Sequence, residues 1–287
     1  MRLCVWGLTD VGMKRDHNED ALLLRPELGL FAVADGMGGH MGGDQASRMA
    51  VEVLERELRA SMPADERGFG GGASDAVAQA LSAATQKAGQ EIYDRAAEDA
   101  DLAGMGTTLT SLLIRRGRAY FGHVGDSRAY LLRDNRLVQV TVDHSWIEEQ
   151  VRAGLMTPAE AQESALRHIV TRSVGFEREV MVDLEVLPVL PGDCFLLCSD
   201  GLSNYLDADE LRELLNRWYF AEVPTVLVGK ANQAGGDDNI TVAVVYLAND
   251  GDGAEDGLAD LAAAATEPAE PEPEPEDEPT GEILRPG

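Results

Sequence analysis

Four times along this 287-residue chain, a strand-like apolar run meets an aspartate with glycine close by. The runs FAVAD, FGHVGD and FLLCSD end on Asp35, Asp126 and Asp200, and GGDDNITVAVV opens with Asp237 and Asp238. Carboxylates at the ends of central strands can converge on one point if those strands share a sheet edge. The adjoining glycines would let backbone carbonyls and a ligand approach closely.

Two interpretations of these aspartates remain open. A single Asp-Gly after a strand is most simply a turn, and four turns would need no ligand. Convergent carboxylates instead repel one another and raise each other's pKa unless a cation neutralises them. Hard oxygen ligands point to Mg²⁺ or Mn²⁺, and the five histidines show no paired metal-ligand spacing that would suggest zinc.

Two further stretches could bind phosphate. The glycine-rich segment after Asp35 resembles a phosphate-cradling loop, but it lacks the GK[ST] ending of a P-loop and matches no dinucleotide fingerprint. The stretch GMKRDHNEDALL (12–23) gathers Arg15, Asn18, Glu19 and Asp20 directly before an apolar run. A guanidinium suits bidentate phosphate binding, although a solvated turn explains the same residues.

Hydrophobic periodicity predicts an α+β fold, because strands and helices come in mixed groups rather than in strict alternation. Polar residues at 143–176 predict a helical excursion outside the core, with a helix start at Thr157-Pro158. The predicted helices are 43–60, an Ala-rich helix from about 74 to about 100, 207–218 and 224–234. The predicted strands are 3–8, 30–34, 109–114, 119–124, 128–132, 136–141, 182–187, 194–199 and 240–247.

The formal net charge of -27 makes nucleic acid an unexpected partner, since binding it needs a basic footprint. Much of that charge lies in residues 249–287, where PAEPEPEPEDEP carries no aromatic residue, so this tail is predicted to be disordered. The remaining 1–248 would form one domain.

Cysteine usage and the amino terminus suggest a reducing, cytoplasmic location. Cys194 and Cys198 would lie on one face of a strand, about 13 Å apart at roughly 3.3 Å per residue, too far apart for a disulfide. No stretch reaches the roughly 18 apolar residues of a membrane span, and MRLCVWGLTD does not resemble a signal peptide.

Taken in order, eight motifs resemble the metal-dependent protein phosphatases of type 2C in their bacterial form, over residues 1 to about 248. Any one of them is weak evidence, but eight in the right order and spacing are specific. They are RDHNED (15–20), DGMGGH (35–40), MGTTLTSLL (105–113), GHVGDSRAYLLRD (122–134), DHSW (143–146), IVTRSVG (169–175), LCSDGLSN (197–204) and GGDDNITV (235–242).

The resemblance implies a four-layer αββα sandwich, with two antiparallel sheets flanked by helices and a metal cleft at one end. It also implies that Asp35 bridges two Mn²⁺ or Mg²⁺ ions and that the Gly36 carbonyl binds one of them. Asp200 and Asp238 would complete the inner ligands, and Asp126 with Asp200 would hold a possible third ion. Residues 143–176 would form the flap beside the cleft.

The same resemblance assigns roles around the metals. Glu19 and Asp20 would orient metal-bound waters, and Arg15 would grip the phosphate. Asp238 is preferred to Asp237 because the family's aspartate directly precedes Asn-Ile/Val-Thr, which leaves Asp237 as a spectator or a competitor. The eukaryotic pattern has a histidine directly after Asp-Gly. Here His40 comes three residues later, so either His40 or a metal-bound water would protonate the leaving group.

The implied function is hydrolysis of phosphoserine and phosphothreonine in proteins by a metal-bridged hydroxide, reversing bacterial serine/threonine kinase signalling. The expected partners are phosphorylated proteins, including such a kinase and its substrates, and a monomer is expected. One alternative is a catalytically inactive relative acting as a binding or regulatory module, which would have lost ligands. Another is a plain acidic interaction protein, which would not explain the ordered motifs.

Overall fold

Two antiparallel sheets form the centre of the molecule. The computed structural model describes residues 1–38, 42–62, 74–157, 160–161, 164–166 and 168–249. The predicted disordered tail, most of the glycine-rich RGFGGGAS stretch (67–74) and His40 therefore lie outside the described residues. In chain order the strands are β1 (Arg2–Asp10), β2 (Asp20–Arg25), β3 (Leu30–Met37), β4 (Gly106–Thr107), β5 (Leu109–Arg115), β6 (Arg118–Val124), β7 (Arg128–Arg133), β8 (Arg136–Gln139), β9 (Asp183–Pro188), β10 (Cys194–Cys198) and β11 (Ile240–Ala248).

The first sheet has the strand order β1-β11-β10-β7-β8, and the second has the order β2-β3-β5-β6-β9 with β4 paired to β3. The described helices are α1 (Gly42–Ser61), α2 (Ser74–Glu98), a 3-10 turn (Ala100–Leu102), α3 (Trp146–Arg152), α4 (Asp200–Ser203), α5 (Ala208–Arg217) and α6 (Val223–Ala234).

Strand alternation sends side chains to opposite faces, so each sheet contributes to two apolar layers. Between the sheets, Phe121 of β6 and Phe195 of β10 meet edge to face with ring centroids 5.7 Å apart. The neighbours of Phe195 on β10, Cys194 and Leu196, point the other way, toward the layer shared with α5 and α6. Helices α1 and α2 cover the outer face of the second sheet. The predicted four-layer αββα sandwich is confirmed.

The structure corrects several predicted boundaries. Strand β2 was missed, because only ALLL (21–24) reads as apolar and the polar residues before it hide the strand. The predicted strand 136–141 ends at Gln139. Within 143–176 the longest described helix is only seven residues, Trp146–Arg152. The two cysteines of β10 are buried free thiols on the same face, as expected.

Candidate active site

A cavity of about 1030 Å³ opens at one end of the sandwich. Seven of the nine residues that the sequence nominated line this cavity, together with residues of the rim and of segment 143–176. These seven are Arg15, Glu19, Asp35, Gly36, Asp126, Asp200 and Asp238. The sequence motifs, which are spread over more than 220 positions, therefore meet at one place.

The carboxylates reach this cavity from both sheets, not from one sheet edge. Asp35 lies in β3, and Asp126 lies two residues after the end of β6, so both belong to the second sheet. Asp200 follows β10 and Asp238 precedes β11, both in the first sheet. The aspartates therefore converge without sharing one sheet edge, because the two sheets that carry them stack face to face.

The backbone of Asp35 is held by Thr107, the last residue of β4, and by Thr108, which lies between β4 and β5. The Asp35 N–H donates to Thr108 Oγ1 at 2.9 Å. The Asp35 carbonyl accepts from the Thr108 N–H and from Thr107 Oγ1, both at 2.8 Å. Thr108 Oγ1 also lies 2.8 Å from Ser127 Oγ, beside Asp126. The hydroxyls of Thr108 and Ser127 thus link the segment that carries Asp35 to the segment that carries Asp126.

Two glycines next to Asp35 allow helix α1 to begin against the site. A Cβ atom on Gly36 would lie only 2.1 Å from the carbonyl oxygen of Gly43. A Cβ on Gly43 would lie 2.3 Å from Glu19 Oε2. No real Cβ tolerates such distances, so bare backbone at both positions is what lets β3, α1 and Glu19 approach one another.

The acidic segment before β2 is fixed from the other sheet. Asn239, which follows Asp238, accepts from the Glu19 N–H at 2.8 Å and donates to the His17 carbonyl at 2.9 Å. Asp20 lies behind the cavity wall, opposite Asp35 in the β2–β3 register. Its Oδ2 accepts from Ser199 Oγ at 2.8 Å. Asp20 is therefore placed to support the cavity from behind.

Burial, with added repulsion between neighbouring carboxylates, raises the pKa of the carboxyl groups in this cluster. Burial raises the pKa of Asp20 to about 7, and repulsion from Asp200 and Asp238 adds to this. Burial and then repulsion from Asp200 raise the pKa of Asp126 to about 8. The pKa of Asp35 lies well above its usual range, from burial and repulsion by Asp20 and Asp200. The cluster is thus an acidic site whose ionised form needs a cation.

The donor set of the cavity fits hard divalent ions. Its candidate ligands are carboxylate oxygens and one backbone carbonyl, the type that Mg²⁺ and Mn²⁺ prefer. Asp200 Oδ1 is buried without a hydrogen-bond partner among the described residues, although Asn204 Nδ2 donates to Oδ2 at 3.0 Å. As these side chains stand, no three described His, Cys, Asp or Glu residues form a ready-made metal cage. The carboxylates instead line the walls of the cavity.

Two cations stand at the rim of the cavity. Arg15 Nη2 donates to Asp238 Oδ2 at 2.8 Å, and about half of the arginine side chain is exposed. Lys14 pairs with Asp237, and both of these side chains are more than half exposed. Asp237 therefore lies at the rim with its own partner, whereas Asp238 lies beside Arg15 inside the cavity.

Segment 143–176 contributes one wall of the cavity through His168, Ile169 and Val170. Its root is tied to the loop that carries Asp126, since the Gly125 N–H donates to His144 Nδ1 at 3.0 Å. Sequence reasoning quoted the motifs holding His144, Thr108, Ser199 and Asn239 without assigning these residues a role. For Ser199 and Asn239 the available signal was a small polar residue directly beside a nominated acid, and His144 and Thr108 had no such signal.

Comparison with known proteins identifies the family. The model described as protein phosphatase 2C matches residues 13–228. The serine/threonine phosphatase stp of Listeria monocytogenes is 38% identical over 244 residues, which cover 83% of this chain and 93% of that protein. Staphylococcus aureus Stp1 superposes with a TM-score of 0.79 at 29% identity, covering 87% of this chain and 96% of that one.

A further similar structure is the catalytic domain of PstP in complex with two manganese ions. It has a TM-score of 0.75 and 34% identity, covering 86% of this chain and 99% of that one. The chain therefore belongs to the protein phosphatase 2C family. This confirms the resemblance and the enzyme class that it implies, protein-serine/threonine phosphatase.

In the part of the chain that the structure describes, none of the helices combines the length and apolar character that a membrane span requires.

Proposed function

We propose that this chain hydrolyses phosphoserine and phosphothreonine in proteins, at the cavity between the two sheets, with Mn²⁺ or Mg²⁺ as cofactor. The observation that carries the proposal is the convergence of Asp35, Asp126, Asp200 and Asp238 from both sheets on one cavity that Arg15 also lines. Like charges held this close are costly without bound cations. The manganese-bound relative supports the same cofactor class.

Asp35, the Gly36 carbonyl, Asp200 and Asp238 would hold two core ions, and Asp126 with Asp200 would hold a possible third. When bound, such ions lower the pKa of a coordinated water toward neutrality and offset the charge on the phosphoryl oxygens. That the nucleophile is a hydroxide shared by both core ions stays a prediction.

The protein's own residues position and complement these groups. Arg15 is the phosphate-binding residue at the rim, because a guanidinium can donate two parallel hydrogen bonds to a phosphoryl group. Glu19 lines the cavity, so its carboxylate can accept hydrogen bonds from ordered water and fix the orientation of that water. Asp20 stands behind the cavity wall, and its predicted role in orienting metal-bound water stays a prediction. His40 as the proton donor to the leaving alkoxide also stays a prediction.

The cellular role that we infer is reversal of phosphorylation by a serine/threonine kinase, with that kinase and its substrates as partners. The serine/threonine phosphatase names of its relatives support this role. A monomer in the cytoplasm is the predicted working form. Among the described residues each nominated acid is in place, so nothing in the structure favours the alternative of an inactive binding module.

The test is hydrolysis of a phosphothreonine peptide by purified protein with Mn²⁺, with Mg²⁺ or with EDTA. Asp238→Asn should abolish turnover. Asp237→Asn is the matched control at the preceding position. Its turnover should stay within about threefold of wild type, because Asp237 pairs with Lys14 at the rim. Protein that is folded yet inactive with every metal would contradict the proposal, as would equal losses in the two variants.

A further inference from the structure

A second, apolar groove opens beside the catalytic cavity. Its volume is about 440 Å³, and its apolar lining is formed by Met37, Val170, Phe176, Val180 and Met181. We refer to these five residues as the apolar groove. Met37 and Val170 line the catalytic cavity as well. The groove is therefore continuous with the place where the phosphoryl group would bind.

The two largest side chains of the apolar groove are exposed. Phe176 is 66% exposed and Met181 is 70% exposed, whereas Val180 on the same segment is buried at 7%. Val180 already packs into the core under helix α2, so the fold has no need of Phe176 or Met181. Single exposed apolar residues are ordinary, but several that line one concave surface mark an interaction site.

The charged residues of the groove lie at its edge or are paired elsewhere, so its floor is apolar. Arg172 donates to Asp183 Oδ1 at 2.5 Å, so its charge is already paired. Glu177 and Glu179 are exposed and lie at the edge of the groove. An apolar floor with an acidic edge suits an apolar side chain whose neighbours are neutral or basic. It disfavours a second phosphate or an acidic segment.

The position of the groove identifies the occupant as polypeptide. A phosphoprotein substrate continues on both sides of its phosphoresidue, and each extended residue advances the chain by about 3.3 Å. Chain that leaves the cavity over Met37 and Val170 would pass directly onto the apolar groove. A pocket of this size has room for a side chain or two and is too small for a folded partner.

We propose that the apolar groove binds an apolar side chain of the substrate segment flanking the phosphoresidue, so that the enzyme prefers phosphorylation sites with such a neighbour. This inference rests on the proposed function, because it names the substrate class of the same site.

The experiment uses a set of phosphothreonine peptides of one length, in a Ser/Lys background, with a single leucine moved from three residues before to three residues after the phosphothreonine. Leucine at one position, or at two adjacent positions, should raise kcat/KM about tenfold over serine, the usual effect of filling an apolar subsite. The double variant Phe176→Ser/Met181→Ser should lose this preference. Its turnover of para-nitrophenyl phosphate, which has no peptide residues flanking the phosphate, should be unchanged.

The matched control is Leu155→Ser, because Leu155 is 76% exposed and does not line the apolar groove or the catalytic cavity. This variant should keep the leucine preference. Binding of the unphosphorylated forms of the same peptides, fluorescently labelled, to wild-type protein in EDTA, measured by anisotropy, gives a readout that needs neither turnover nor the phosphate site. Failure of the proposed function, with no hydrolysis of any substrate, is therefore separable from failure of this inference.

A leucine preference in rate or in binding that disappears in the double variant and persists in Leu155→Ser supports the groove. The proposal is overturned if no position shows a preference in either measurement. It is equally overturned if the double variant keeps the preference, or if it loses para-nitrophenyl phosphate turnover to the same extent.

Discussion

Strand β10 has an aspartate near each end, and the two differ in burial and in what surrounds them, since Asp193 is buried and Asp200 is half-buried. Asp193 precedes the strand and is 1% exposed. Arg133 donates to its two carboxylate oxygens from Nε and Nη2, both at 2.7 Å, and the Leu190 N–H donates at 2.7 Å. Asp200 follows the strand, and its Oδ1 has no hydrogen-bond partner among the described residues.

This difference separates a structural carboxylate from a functional one. Asp193 has a resident cation and hydrogen bonds to both oxygens, which satisfies a buried charge within the protein itself. The pKa of Asp200 is raised by burial and then by repulsion from Asp238. Asp200 is a half-buried carboxylate among other carboxylates, with no arginine or lysine paired to it among the described residues, and such a group suits an external cation. Sequence alone shows both as an aspartate beside an apolar strand.

The largest expected effect is on activity at the cavity end of β10. Asp200→Asn should lower kcat for a phosphothreonine peptide by at least about 10²–10³-fold, since it removes a negative ligand from a preorganised charged site. Its free energy of unfolding in EDTA should be unchanged or higher, because the variant relieves repulsion within the cluster. Denaturant titration and steady-state kinetics on the same preparation provide the check. Activity within tenfold of wild type would contradict the assignment of Asp200.

A substitution of Asp193, at the opposite end of β10, should lower stability and leave activity unchanged. Asp193→Asn should lower the free energy of unfolding by about 2–3 kcal/mol, because it leaves Arg133 without its buried partner. Activity per folded molecule should not change. Urea denaturation would measure the loss, and a double-mutant cycle with Arg133→Gln would assign it to the pair. A fall in kcat without a fall in stability would reverse the comparison.

The stability gained from metal binding should also distinguish Asp193 from the carboxylates of the cavity. Mn²⁺ at one hundred times its dissociation constant should add about 2.7 kcal/mol to the stability of wild-type protein. Asp193→Asn should gain the same increment from its own lower baseline, and Asp35→Asn should gain little. Thermal unfolding with Mn²⁺ and with EDTA measures these increments. Equal gains in both variants would place the ion elsewhere in the molecule.

The last expected effect is on the pH dependence of the metal-free protein. Asp126 has a pKa of about 8 in the folded state, raised by burial and by Asp200, whereas an unfolded aspartate titrates near 3.8. Between these values the folded state holds a proton that the unfolded state has lost. The Asp126 contribution to stability is thus fully present below about pH 4 and is lost as the pH rises toward 8.

The measurement is the difference in stability between wild type and Asp126→Asn, in EDTA, from pH 4 to pH 8. Wild type should lose stability relative to the variant by at most about 1.4 kcal/mol per pH unit. Taking the difference cancels groups that the two proteins share, such as buried His123, whose pKa is lowered to about 3 by burial and by His144. If the stabilities of wild type and Asp126→Asn change with pH in parallel, burial and Asp200 do not raise the pKa of Asp126.

Much of this protein can be predicted from its amino-acid pattern. Apolar periodicity placed most strands and helices, because patterning follows from which side chains must leave water. The order and spacing of the motifs determined the family and nominated Asp35, Asp126, Asp200 and Asp238. The polar residues before β2 concealed that strand, since a strand end at a binding site breaks the apolar pattern on which recognition depends.

Which residues meet in space depends on tertiary packing. The face-to-face stacking of two sheets brings Asp126 and Asp200 to one cavity, and no local rule encodes a contact between distant strands. Tertiary packing likewise determines that Asp193 pairs with Arg133, whereas Asp200 accepts from Asn204 and has no arginine or lysine partner among the described residues. It also places Phe176 and Met181 in the groove beside the cavity. The physical reason is that the charge state and the partners of a buried group depend on everything packed around it. The local sequence fixes only its position along the chain.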